Sequence, residues 1–198
     1  MPNYQVSIKQ REIADERWLE EYYDLLGRIN GAVLELGSGR GRDTGYLLEH
    51  GPVTAIDINP QALIELKDKY PLANTVIADL GETWPVSNHY FSFVLASLSL
   101  HYFSDEGTRN CISELRRVLE PTGTALLRFN STNDVNYGAR SEDQIEVNYY
   151  NVKGQAKRFF SKEMLEDYFS DWDIEQLTEV EIDRYLKRKT VWELVCTP

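Results

Sequence analysis

Between Asp15 and Ile29 the apolar side chains fall at Trp18, Leu19, Tyr22, Leu25, Leu26 and Ile29, the spacing of one helix face, which predicts an amphipathic leading helix. Beyond it, short unbroken apolar runs alternate with helical stretches. Ala32 to Leu36 reads as a buried strand stopping at Gly37, and Asp43 to His50 as a helix closed by Gly51. Val53 to Ile56 is a second strand. Asp57 follows, and then Asn59-Pro60, a cap with proline in the first turn, opens a helix that ends at Tyr70 before Pro71. Strands are predicted at Thr75 to Ala78 and Tyr90 to Ala96, then a helix over Ser104 to Leu119 that Pro121 and Gly123 break, then a strand over Thr124 to Phe129. Ser161 can cap a further helix, with Phe160 packing on Leu165 as a hydrophobic staple. Two β-rich runs, Ile174 to Ile182 and Thr190 to Cys196, close the chain as a hairpin turning at Tyr185 to Lys189. Strand and helix in this alternation predict an α/β fold, a doubly wound, mostly parallel sheet with helices on both faces and an antiparallel C-terminal hairpin.

No repeat or linker divides the 198 residues, so residues 1–198 read as one domain. Residues 1–30 form its leading helix, or lid, and residues 130–160 a substrate-side insertion. The insertion reads as about 30 residues of polar and aromatic loop, longer than a plain connection needs. With 42% hydrophobic and 27% charged residues the composition is that of an ordinary globular protein. Its 21 basic and 32 acidic residues leave a net charge of -11, which repels polyanions, so neither nucleic acid nor a membrane surface is expected as a partner. Cys111 and Cys196, far apart and in no Cys-x-x-Cys pair, make neither a disulfide framework nor a zinc knuckle. Met1 to Gln10 has no apolar core of signal-peptide length, and Phe93 to Leu100 is too short to cross a bilayer. A cytoplasmic protein, monomer or homodimer, is the expectation. His50, His89 and His101 are scattered, so no metal site is expected.

In an open parallel sheet, ligands bind beyond the carboxyl ends of the strands. The first such turn is Glu35-Leu36-Gly37-Ser38-Gly39-Arg40-Gly41, whose alternate glycines leave the backbone bare where it bends and where a ligand must come close. A dinucleotide fingerprint would want glycine at the sixth place, where Arg42 stands; here the glycine is at the fifth. That spacing, with an acid two residues before the first glycine, resembles the first motif of the class I S-adenosylmethionine-dependent methyltransferases, here VLELGSGRG. The resemblance extends over most of the chain, from about Trp18 to Pro198, and implies a Rossmann-like sheet of seven strands.

The resemblance implies roles for particular residues. Asp57, fourth in TAIDIN, stands where the family's ribose-binding acid stands, and a carboxylate can accept two hydrogen bonds from a vicinal diol. Its neighbour Ile58 belongs to the same site. The reading of Asp57 as a helix cap is weaker because Asn59 already serves. Asp79 and Leu80 match the positions that meet the adenine, and Ser97 lies beside the methionine moiety. Gly37, Ser38, Gly39 and Gly41 form the cradle. Glu35, costly on a buried strand end, hydrogen-bonds the glycine loop or the cofactor's ammonium. The family's fourth strand usually starts with an aspartate where Ser92 stands here.

S-adenosyl-L-methionine is thus the implied cofactor, and S-adenosyl-L-homocysteine the product of an in-line methyl displacement. His101 is a candidate acid-base group, although a histidine in a packed turn is more often structural. On the acceptor side, Arg128, Tyr137, Arg140, Tyr149 and Arg158 can form a pocket for a small polar or anionic molecule, with Trp18 and Tyr22 closing over it. Lys153, Lys157, Arg158 and Lys162 form a local basic stretch that also fits a solvated face. The region LRFNSTND is similar to the tellurite-resistance type of small methyltransferase, which points to a small-molecule acceptor. A nicotinamide-dependent oxidoreductase and a non-catalytic S-adenosylmethionine-binding regulator are the alternatives.

Overall fold

The computed structural model describes residues 8–10, 15–183 and 187–198. Met1 to Ser7 and part of the turn expected at Tyr185 to Lys189 lie outside the described residues. Eleven strands are present: β1 (Ile8–Gln10), β2 (Ala32–Leu36), β3 (Val53–Asp57), β4 (Asn74–Ile77), β5 (Phe91–Ser97), β6 (Leu119–Asn130), β7 (Gln144–Glu146), β8 (Tyr149–Val152), β9 (Gln155–Arg158), β10 (Asp173–Ile182) and β11 (Lys189–Thr197). Between them run the α-helices α1 (Tyr23–Leu26), α2 (Thr44–Leu47), α3 (Pro60–Lys69), α4 (Asp105–Val118) and α5 (Lys162–Tyr168).

The main sheet has the order β1-β10-β11-β6-β5-β2-β3-β4. From β4 to β6 it is parallel, and β11 runs antiparallel between β6 and β10. The expected seven strands are all there. The short β1 pairs parallel with β10 and adds an eighth at the edge. The chain leaves β2 for β3 and β4 on one side and returns to β5 on the other, so the strand order reverses between β2 and β5.

The sequence explains the two-sided core. Along β5 alternate residues point to opposite faces. Phe93 and Leu95 pack with Trp18, Leu19, Tyr22, Leu26 and Leu47. Val94 and Ala96 pack with Cys111 and Leu115 of α4 and Leu165 of α5. The expected caps are in place: Asn59 Oδ1 accepts from the amides of Gln61 and Ala62, Ser104 Oγ from Gly107, and Ser161 Oγ from Met164.

Two regions differ from the sequence expectation. The leading segment is a 3-10 helix over Asp15–Tyr22 followed by a single α-turn, not a continuous α-helix. Its weak backbone geometry is offset by side-chain anchors, Trp18 Nε1 donating to Asp43 (3.0 Å) and Tyr22 Oη to Glu193 (2.8 Å). The insertion after β6 is not a loop throughout, because β7, β8 and β9 form a separate three-stranded antiparallel sheet. Val152 pairs with Gln155 across a two-residue turn in which Lys153 (φ 55°) and Gly154 (φ 83°) both take the left-handed conformation.

Arg158 ties this small sheet to the main fold. Its amide donates to His101 O (2.7 Å), its Nε to Phe103 O (3.0 Å) and its Nη1 to Val147 O (3.2 Å), while Nη2 pairs with Glu146. Replacing it by alanine removes the side-chain partner of the Phe103 and Val147 carbonyls and one end of an ion pair whose arginine is buried. Arg158→Ala is expected to lower unfolding free energy by about 2–4 kcal/mol in a urea titration. Arg158→Lys recovers little of that loss, since one ammonium cannot reach three partners set out for a planar fork.

Candidate functional site

A cleft of about 780 Å³ opens at the carboxyl ends of β2, β3, β4 and β5. The floor is the turn after β2. Gly37 and Ser38 both donate their amides to Ile56 O of β3 (2.8 and 3.1 Å), which fastens the turn across the strand gap. At Gly37 (φ +69°) a Cβ would stand 2.3 Å from Ser99 Cβ, so only glycine lets the exit of β2 meet the loop after β5. Gly41 is similarly closed in by Leu66. Gly39 (φ +52°) is different, because a Cβ there would meet nothing within 4 Å.

Asp57 ends β3 at the cleft. Its Oδ2 accepts from the Gly39 amide (2.7 Å) and its Oδ1 from the Asn59 amide (2.8 Å), so the carboxylate is aimed by the glycine turn and the start of α3 together. Asp79, after β4, caps its own turn through Gly81 N (2.8 Å). Leu80 is held by its carbonyl, which accepts from Trp84 Nε1 and Cys111 Sγ. Ser99 Oγ donates to Leu36 O (2.7 Å), and Gly154, Gln155 and Ala156 of the β8–β9 hairpin form the opposite wall.

Of the ten residues expected at the cofactor, five line this cleft: Gly37, Asp57, Ile58, Asp79 and Leu80. Gly39, Gly41, Ser38 and Ser97 shape its surroundings. Glu35 lies beneath, where its carboxylate accepts from the Thr44 hydroxyl of α2. Burial, against the opposing pull of that hydroxyl and helped by the charges of Asp43 and Asp57, pushes the Glu35 carboxyl up to about 8.

The residues expected on the acceptor side separate. Trp18, Tyr22 and Arg128 sit inside the fold: the Arg128 guanidinium lies 4.2 Å from the Trp18 ring and pairs with Glu193 at 3.3 Å. Tyr149 Oη donates to Tyr102 O (2.9 Å) and Arg158 is spent as described above. Arg140 is exposed, with φ +66°. Of the residues expected from the sequence, Tyr137 and His101 are among those lining a smaller recess of about 150 Å³ next to the cleft. The residues that sequence reasoning missed at the cleft are Asn59, Leu98, Ser99, Tyr102, Phe103 and the hairpin tip. The Lys153-Gly154 pair between two alternating runs was the signal for the tip; Tyr102 and Phe103 carry none. Among the described residues no group of histidines, cysteines and acids is placed to hold a metal ion.

The chain matches proteins of known class. Residues 33–123 match the family model described as a methyltransferase domain. Similar solved structures include an S-adenosylmethionine-dependent methyltransferase of Methanosarcina mazei, with 16% identity, a TM-score of 0.74, and 89% of this chain and 96% of that one covered. Another, from Mesorhizobium loti, has 16% identity and a TM-score of 0.73, with 93% and 98% covered. A third is the 1,6-didemethyltoxoflavin N1-methyltransferase of Burkholderia thailandensis, solved with 1,6-didemethyltoxoflavin and S-adenosylhomocysteine, with 19% identity, a TM-score of 0.67, and 92% and 79% covered. No curated protein matches the chain. Residues 33–123 thus match a methyltransferase domain, and the fold is that of solved S-adenosylmethionine-dependent methyltransferases.

The residues present fit that cofactor. Gly39 leaves open space where a ligand can press on the backbone, and the Ser38 and Ser97 hydroxyls are buried without a hydrogen-bond partner among the described residues. Gly39→Ala is expected to cost only about 1 kcal/mol of stability, from its left-handed φ, while weakening S-adenosylhomocysteine binding at least tenfold by calorimetry. Gly37→Ala, which drives a methyl into Ser99, loses folding and binding together.

The pH dependence of stability follows from Glu35. Its carboxyl keeps a proton in the fold at pH values where the unfolded chain, near the ordinary 4.5, has released it. This group's contribution is therefore full below about 4.5 and is lost as pH rises through about 8. Glu35→Gln is expected to flatten that decline in urea midpoints measured from pH 5 to 9.

Proposed function

We propose that this protein transfers the methyl group of S-adenosylmethionine to a small-molecule acceptor by in-line displacement, with Asp57 as the main polar anchor of the cofactor. The observation that carries the reading is the Asp57 carboxylate, set at the cleft by the Gly39 and Asn59 amides and faced across it by Asp79 and Leu80. Each carboxylate oxygen keeps acceptor capacity beyond its one backbone bond, which suits a vicinal diol. When bound, the cofactor supplies an electrophilic methyl on a sulfonium centre.

The chain's own work is then binding, alignment and exclusion of water. Gly37, Gly39 and Gly41 keep side chains away from the ligand, with Ser38, Ser97 and Glu35 offering polar groups at the amino-acid end. Asp79, Leu80 and Ile58 flank the base. The β8–β9 tip narrows the opening, which favours a compact acceptor over a polymer. A small molecule is also what the Burkholderia relative was solved with. The net charge of -11 argues against a nucleic-acid acceptor, and a cytoplasmic protein remains our reading.

Calorimetry with S-adenosylmethionine is expected to show micromolar binding, and Asp57→Ala to weaken it roughly 10²-fold, the worth of two hydrogen bonds to a charged group. Absence of heat with that ligand, alongside binding of a nicotinamide dinucleotide, overturns the proposal.

A further inference from the structure

The recess of about 150 Å³ shares Leu98 and Tyr102 with the cofactor cleft and is otherwise lined by His101, Asn130, Tyr137, Lys157 and Lys189. At ~30 Å³ per water in the liquid, that is room for a fragment of about five waters. Leu98, at the seam between the two spaces, holds φ +58°, a left-handed conformation that leucine rarely takes and that its neighbours must enforce. The strain joins the end of β5 to both cavities.

Two polar side chains on this wall have unmet needs. His101 is 5% exposed and its Nδ1 has no hydrogen-bond partner; Asn130 is 1% exposed and its Oδ1 has none, although its Nδ2 reaches Arg158 O at 3.5 Å. A buried polar atom left unpaired costs about 1–3 kcal/mol, so two in one small recess call for a partner that the described residues do not supply. Asn130 Oδ1 can only accept. Nδ1 of a neutral imidazole can also accept, and burial together with the charges of Lys189 and Lys157 holds the imidazole pKa well below the ordinary value, so it is neutral at pH 7.

The charge around the recess is the reverse of that around the cleft. The cleft carries Asp57 and Asp79, with Glu35 beneath, which suits a cationic ligand. The recess carries two ammonium groups, Lys157 and Lys189, the latter bonded to Asp134 and 5.0 Å from the Tyr137 ring centroid. The Tyr102 ring lies tilted against the His101 ring with centroids 4.0 Å apart, and the Arg158 amide donates to the His101 carbonyl. Among the described residues no acid lines the recess.

We propose that this recess is the acceptor subsite and takes a small anion, a carboxylate bearing an O–H or N–H group, with Lys157 meeting the anion and His101 and Asn130 receiving the protons. The inference rests on the methyl-transfer reading given above. In the transfer the acceptor's oxygen or nitrogen bonds the methyl carbon, the carbon–sulfur bond breaks with its pair left on sulfur, and the proton passes to Nδ1 of His101 and on to water. His101 thereby touches the reacting atom and is a catalytic residue, while Lys157 sets the choice of acceptor.

The test uses the full chain loaded with S-adenosylhomocysteine, with salicylate and anthranilate as probes and salicylamide as the neutral control. Either anion is expected to move the His101 imidazole ¹⁵N resonances and to bind at least tenfold more tightly than salicylamide. Lys157→Ala, at a half-buried site, abolishes that preference and leaves S-adenosylhomocysteine binding intact. If the protein binds S-adenosylhomocysteine but neither anion moves the His101 signal, or if salicylamide binds as well as salicylate, the acceptor assignment is overturned and the cofactor reading stands. If S-adenosylhomocysteine itself fails to bind, the methyl-transfer reading falls and takes this one with it.

Discussion

The closure of Gly37 against Ser99 is the contact on which the site depends. The strand order reverses between β2 and β5, and there alone two parallel strands send their following loops in opposite directions, leaving a crevice between them. For the crevice to be floored by backbone, the two loops must touch. They do so because residue 37 has no side chain and because Ser99 Oγ bonds Leu36 O, which fixes the spacing at 2.7 Å. The amides of Gly37 and Ser38 then lean on Ile56 of β3, and Gly39 on Asp57. Three strands are thereby locked at one point, and Asp57 takes its position from the same turn that forms the floor.

Charge follows from that arrangement. Acids at the ends of β2, β3 and β4 gather on one side of the crevice, because each lies on the same edge of the parallel sheet. Burial is the main reason Glu35 holds its proton to about 8, and the nearby charges of Asp43 and Asp57 add to it. A cationic ligand relieves that repulsion. Past Leu98 the lining changes to Lys157 and Lys189, brought in by β9 and β11, which belong to the small sheet and the antiparallel end of the main one. The parallel half and the added half of the molecule therefore contribute opposite charges to adjoining spaces.

Much of this was legible in the sequence, and the physical reasons differ by element. Buried parallel strands and their capped helices announce themselves locally: β3, Asp57 and the Asn59-Pro60 start of α3 fall where the pattern puts them, because apolar run, cap and proline act within a few residues. The leading helix was misread in type, since its apolar spacing suits either helix and the choice rests on anchors at Asp43 and Glu193 that are 25 and 171 residues away. The small sheet was missed because its strands are short and polar, though Lys153-Gly154 offered a hairpin signal. Arginines at 128 and 158 looked available for a ligand. Sequence cannot show that Glu193 and Glu146 stand beside them.

Those buried arginines clarify how the far face of the sheet supports the crevice. Arg128 is paired in register with Ser97 at the end of β5, and its guanidinium lies between the Trp18 ring and Glu193 of β11. Trp18 reaches on to Asp43, the residue just before α2, and Tyr22 back to Glu193. The leading segment therefore holds the helix that follows the glycine turn and the strand that borders it, through one charged network rather than through apolar packing alone. A buried network of this kind adds little net stability, because desolvation offsets most of the attraction, but its contacts are directional. Apolar contacts would tolerate a slide of the leading segment by a fraction of an ångström; the Trp18–Asp43 and Tyr22–Glu193 hydrogen bonds do not. The turn above them, which must present bare backbone at a fixed place, is thereby held from beneath by directional contacts.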